Sequence, residues 1–129
     1  MENITPEVES WLQQFEVYVR NQQYQEALPL YESDAIAFGT RVNYLANMIE
    51  YASYQWHNIW EKSRNFTFTK VLSSGHDGEL FFCSTLWSNQ TTINDVEVTR
   101  TGRATFVFKK GIKGLVCIHS HFSESPTSA

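Results

Sequence analysis

From Phe66 to Ser123 the chain is almost wholly extended runs with only turns between them, and that pattern leaves few folds open. Phe66-Thr67-Phe68-Thr69 alternates apolar with polar and continues to Leu72. Glu79 to Gln90 carries Phe81, Phe82, Leu86 and Trp87, Val96 to Lys109 is rich in Thr, Val and Phe, and Leu115 to Ser123 closes the series. Runs of this kind, bounded by turn residues, read as strands. Ser73-Ser74-Gly75-His76-Asp77-Gly78 and Lys110-Gly111-Ile112-Lys113-Gly114 are turn clusters. A parallel neighbour would need a crossover of about a dozen residues. No such stretch separates these runs, so they predict three or four long antiparallel strands joined by hairpins.

The half before them has a helical period. Thr5-Pro6-Glu7 supplies a hydroxyl cap, a proline at the first helical position and acid in the first turn. Val8, Trp11, Leu12, Phe15 and Val19 then share one face as far as Asn21. A short helix from Gln23 to Leu28 stops at Pro29, and Leu30 to Phe38 leads into a short strand broken by Gly39 and Thr40. Val42, Leu45, Ile49, Ala52, Trp56 and Ile59 recur at steps of three and four, which predicts a helix from Val42 to about Lys62 with Trp56 and Trp60 on one face. Helices first and an antiparallel sheet after them define an α+β fold. At 129 residues this is one domain, residues 1–129.

Composition removes whole classes of function. Apolar residues make up 42% and charged residues 19%, which excludes a disordered, collagen-like or coiled-coil chain. The formal charge of −4 gives no basic excess for nucleic acid, and no apolar run approaches the roughly 18 residues of a membrane span. Met1-Glu2-Asn3-Ile4-Thr5 has no basic region followed by an apolar stretch, so a cytoplasmic location is expected. The sequons at Asn3, Asn65 and Asn89 then read as chance matches. Cys83 and Cys117 lie in apolar runs and read as buried thiols.

The order of elements, with Leu30-Tyr31-Glu32-Ser33-Asp34-Ala35 before the first strand and His119-Ser120-His121-Phe122-Ser123 followed by Pro126 at the end, resembles the nuclear-transport-factor-2-like superfamily. Its SnoaL-like and calcium/calmodulin-dependent kinase II association-domain branches are the most similar. The resemblance implies a cone-shaped, curved antiparallel sheet wrapped around a long helix, with a pocket in the cone interior. It also places the catalytic groups of the family's ketosteroid isomerases at or near Phe15, Gly39 and Arg103. A tyrosine, a carboxylate base and a protonated acid are needed there, and none is present, so steroid-isomerase chemistry is excluded.

Alternation puts Leu115, Cys117, His119 and His121 on one face, Thr101, Arg103, Thr105 and Val107 on one face, and Phe81, Cys83, Thr85 and Trp87 on one face. By analogy with the family these three sets point into the cone. The opposite faces carry Phe106, Phe108, Val116, Ile118 and Phe122, and the resemblance makes that side a homodimer interface.

A pocket of Phe15, Tyr31, Asp34, Trp56, Trp60, Trp87, Arg103, His119 and His121 is therefore expected. An arginine beside a histidine and tryptophans suits a small ligand with an apolar body and an anionic group. The competing assignments are an Arg103–Asp34 pair made for structure alone, histidines that merely fill half-polar positions, and aromatics that are simply core. Cys117, His119 and His121 spread over about 13 Å along a strand, too far for all three to hold one zinc, and His57 or His76 would have to complete a site. Neither metal nor cofactor is expected.

Three functions follow. The first is a small-molecule-binding protein. The second is a SnoaL-type acid–base enzyme on a cyclic or polyketide-like substrate, with His119 or Asp34 transferring the proton and Arg103 stabilising the anion. The third is an oligomerisation module.

Overall fold

The computed structural model describes residues 4–40 and 47–126. Helix α1 (Pro6–Arg20) is followed by α2 (Tyr24–Ala27), a 3-10 turn (Leu28–Leu30) and strand β1 (Tyr31–Phe38). After the undescribed residues come α3 (Met48–Tyr51), a π-helical segment (Ala52–Trp56) and α4 (His57–Trp60), which run on from one another. Four long strands complete the chain: β2 (Arg64–Asp77), β3 (Leu80–Ile93), β4 (Val96–Gly111) and β5 (Gly114–Glu124). The Val42 and Leu45 part of the expected long helix lies outside the described residues.

The sheet is curved, unclosed and ordered β1-β5-β4-β3-β2. The last four strands are successive antiparallel neighbours, as their turn-length connections require. The expected all-antiparallel sheet is in fact mixed, because β1 pairs with β5 in parallel. The helices between β1 and β2 supply the crossover that a parallel pair needs. The first turn is shorter than the Ser73–Gly78 cluster suggests. Strand β2 runs on to Asp77, and Gly78 turns the chain at a φ of +62°. Asn94 and Asp95 both take positive φ in the next hairpin, as a two-residue turn of matching twist demands.

Helix α1 forms for the reasons its sequence gives. The Thr5 hydroxyl accepts from the Val8 amide, and Val8, Trp11, Leu12, Phe15 and Val19 are all buried. The opposite side is tied to the sheet edge: Arg20 Nε donates to the Phe66 carbonyl at 2.9 Å, and Glu16 accepts from the Phe68 amide at 2.7 Å. The sheet thus curves over α1 as well as over the helix ending at Trp60. Phe15 meets Trp60, Phe66, Phe68, Phe106 and Phe122 at ring-centre distances of 5.7–6.3 Å.

Two features set which side chains enter the interior. On β4 the inward residues are Gly102, Ala104, Phe106 and Phe108, while Thr101, Arg103 and Thr105 are exposed on the outer face. This reverses the expected face. The registers enforce it: Phe81, Cys83, Thr85 and Trp87 of β3 stand opposite Phe108, Phe106, Ala104 and Gly102. On β5, Phe108 pairs with Cys117 but Val107 pairs with His119, so Ile118 is an extra residue in the ladder. Beyond this bulge the faces exchange. Leu115 and Cys117 point inward before it, and Ser120 and Phe122 after it. Phe106, Phe108 and Phe122 are therefore interior residues, not members of an outer apolar face.

Candidate functional site

Among the described residues the interior is packed with aromatic rings, and the packing is interrupted at one end. There a slot of about 50 Å³ opens among Phe15, Trp56, Trp60, Phe66, Trp87 and Phe122. Trp56 and Trp60 stack at 4.8 Å and 19°, which one helix face makes possible. The π-helical segment adds a residue to the turn, and both Gln55 and Trp56 face the slot from it. Gly102 makes room for the opposite wall. A Cβ there would stand 2.2 Å from Trp87 Cζ2 and 2.2 Å from the Ser123 carbonyl, so only glycine lets the indole lie on β4. Trp87 Nε1 then donates to the Arg103 carbonyl at 3.2 Å.

Thr40, Tyr51, Gln55, Ser63, Asn89 and Arg100 supply the polar lining of the slot. Asn89 is 3% exposed, and its Nδ2 donates to Ser63 Oγ at 2.8 Å. Its Oδ1 is buried with no hydrogen-bond partner among the described residues. A buried acceptor left so costs about 1–3 kcal/mol. Arg100 reaches the same end with a side chain 12% exposed, pairs with Glu124, and lies 5.9 Å from the Trp87 ring centre. A second hollow of about 260 Å³ lies alongside, between Lys62, Thr91, Thr92 and Ile93. It shares Ile59, Ser63, Asn89 and Arg100 with the slot. A wider groove of about 540 Å³ flanks α1 and the start of β5, with Glu7, Glu26 and Lys113 on its walls. None of the buried unpaired side-chain atoms among the described residues lies on it.

Of the nine residues expected in the pocket, Phe15, Trp56, Trp60 and Trp87 line the slot together. Tyr31 is buried at the other end, where its hydroxyl donates to Ser120 Oγ at 2.8 Å. Arg103 is on the outer face, with Nε donating to Ser123 Oγ at 3.2 Å, and it is neither beside His119 nor paired with Asp34. Asp34 is exposed on β1 near Lys109, whose ammonium meets Glu32 at 2.7 Å. His119 and His121 flank Phe38 at 5.8 and 5.4 Å, off the slot. The expectation of an inward Arg103–His119 pair fails because β4 presents its Gly-Ala-Phe-Phe face and the bulge turns the histidines away. It also separates Cys117, which points inward, from His119 and His121, so the three share no face.

The residues that sequence reasoning missed are Arg100, Asn89, Ser63 and Gln55. Arg100 has the same parity as Gly102, Ala104, Phe106 and Phe108, and the strong alternation of that run was the available signal. The rule that an inward arginine needs a partner holds, with Glu124 in the role expected of Asp34.

Burial decides the titration of the interior. It raises the Cys83 thiol to about 12 and drives Cys117 and Tyr51 higher still. Tyr31 is raised by burial first, and then by the neighbouring Cys117 and Tyr51. All four remain protonated and neutral at neutral pH, so none is a nucleophile there.

These elements define a protein with the nuclear-transport-factor-2-like, cystatin-like α+β fold. Solved structures sharing it include a chain from Xanthomonas campestris described as a calcium/calmodulin-dependent protein kinase II association domain, at 17% identity and TM-score 0.81 over 95% of this chain and 88% of that one. A nuclear transport factor 2-like superfamily protein from Salmonella enterica matches at 13% identity and TM-score 0.80, over 95% and 92% of the two chains. A ketosteroid isomerase-like protein from Erwinia carotovora atroseptica matches at 12% identity and TM-score 0.80, over 98% and 100%. No protein-family model and no curated protein matches the sequence.

Proposed function

We propose that the chain binds a small, largely apolar molecule in the slot. The observation that carries this reading is the slot itself: an aromatic interior packed elsewhere stops short between Phe15, Trp56, Trp60 and Trp87. Cores do not leave such space without a loss of contact energy. The anionic group expected of the ligand loses its carrier. Arg103 is outside, and Arg100 is already neutralised by Glu124. Titration with neutral and carboxylate fragments, followed by the indole N–H resonances of the tryptophans, tests the reading. Saturable shifts at Trp56, Trp60 and Trp87, larger for neutral fragments, are expected. Shifts confined to Trp11, beside the α1 groove, would overturn it.

Against an acid–base enzyme stands the chemistry of the walls. Neither hollow is lined by a carboxylate or an imidazole among the described residues. Gly39 occupies the position that the resemblance gives to the isomerase base. A Cβ there would meet the Tyr51 hydroxyl at 2.5 Å and Gln55 at 2.6 Å.

A second copy of the chain is proposed on the outer sheet face. Phe82 is 45% exposed and Ile36 37% exposed, with half-buried Val107 opposite Phe82. Light scattering should give twice the 15.0 kDa chain mass. Phe82→Asp should return it to a single chain, and a wild-type monomer at tens of micromolar would end the proposal.

A further inference from the structure

Asn89 stands where the slot and the neighbouring hollow meet. Both are bounded by Ile59, Ser63, Asn89 and Arg100, so these four side chains form a collar between an aromatic end and an end walled by Lys62, Thr91 and Thr92. The inward row of β3 runs Phe81, Cys83, Thr85, Trp87, Asn89, with the amide next to an indole in the buried series. Ser63 holds the amide by its nitrogen, and the oxygen on the other branch has no partner among the described residues. A side chain buried for stability would have both ends engaged or would be apolar.

We propose that the two hollows are one elongated site and that Asn89 Oδ1 accepts a hydrogen bond from its ligand. The inference rests on the small-molecule reading above and adds the class of molecule. It is a neutral ligand whose small apolar head, of a few heavy atoms, is joined directly to an O–H or N–H donor: an alcohol or an N-alkyl amide, with any polar remainder in the outer hollow. The size limit follows from the slot, at about 50 Å³. Neutrality at the head and collar follows from the Arg100–Glu124 pair, which leaves the collar with compensated charge, Lys62 standing beyond it on the wall of the outer hollow. The donor requirement follows from the Asn89 oxygen, since a ligand offering only acceptors would leave that oxygen unpaired and add a second unsatisfied group.

The probes are isobutanol and methyl isopropyl ether, equal in heavy atoms but with and without a donor, titrated against the full chain by NMR. Isobutanol should shift the Asn89 side-chain amide and the Trp60 and Trp87 indoles saturably, and the ether should bind at least about tenfold more weakly. Asn89→Leu should bind both probes alike. Ser63→Ala, which releases the amide but keeps the apolar wall, should narrow the preference and retain isobutanol binding, and it serves if Asn89→Leu does not fold. Equal binding of both probes to the wild type would overturn the role of Asn89 while leaving the small-molecule reading intact. Failure of both probes to shift the slot resonances would overturn both.

Discussion

Around Trp11 and Tyr31 the polar atoms inside the sheet are tied to partners, whereas beside Trp60 one buried atom, Asn89 Oδ1, has none among the described residues. At the first end Trp11 Nε1 donates to the Leu30 carbonyl at 3.1 Å, Tyr31 to Ser120 at 2.8 Å, and Cys117 Sγ to the His119 carbonyl at 3.2 Å. At the second, the same density of aromatics surrounds a hollow and an unpaired oxygen. The two ends share Phe15, which stacks on Trp11 at 5.3 Å and meets Trp60 edge-on at 5.7 Å. One core is therefore more fully paired at one end than at the other, and the less complete end is where a ligand is proposed.

The contrast breaks or sharpens first by truncation. Phe106→Ala, fully buried at the sealed end, should cost about 3–5 kcal/mol. The same change at half-buried Phe122 on the slot should cost about half that. Urea unfolding of the two variants measures it, and equal losses would erase the distinction.

High pH comes next. The Cys83 thiol ionises near its ordinary 9.0 in the unfolded chain but only at about 12 when buried. The folded state keeps a proton that the unfolded state loses, so stability is intact below pH 9 and falls as pH rises from there toward 12. By pH 10.5 the loss assignable to Cys83 should be roughly 2 kcal/mol. It should be absent from the difference between pH 8 and pH 10.5 in Cys83→Ala, again by urea unfolding.

Ser120→Ala should cost about 1–3 kcal/mol, because it removes the oxygen acceptor of the buried Tyr31 hydroxyl and leaves it only the Cys117 sulfur. The smallest effect belongs to the slot. The double variant Asn89→Leu with Ser63→Ala removes both partners of a half-satisfied pair and should be within about 1 kcal/mol of wild type or more stable. A Tm shift measured for each variant tests the opposite signs.

Much of this was legible in the chain. The α1 face, the Trp56–Trp60 pair and the inward row of β3 each follow a single period, and periods survive folding. The parallel pairing of β1 was hidden because it depends on where the crossover returns the chain. Arg103 was misplaced because family analogy overrode the Gly102, Ala104, Phe106, Phe108 alternation, which pointed the right way. His119 and His121 were misplaced for a different reason. Leu115-Val116-Cys117-Ile118 is apolar throughout, so nothing in it marks the residue that drops out of the ladder. Asn89 drew no notice as a polar wall residue because an unpaired oxygen is a property of packing in three dimensions.

The residue that drops out at Ile118 behaves like a shift of reading frame written into a strand. Upstream, odd numbers spell the interior; downstream, even numbers do. Deleting Ile118 would leave a regular ladder with Cys117 still against Phe108 and His119 still against Val107, and every side chain on the face it already holds; pairing Ile118 in the ladder instead would send His119 and His121 inward and Ser120 and Phe122 outward. Two chains with the same fold and the same His-x-His string can thus wear it on opposite sides, and the string becomes comparable between them only after the extra residue has been counted.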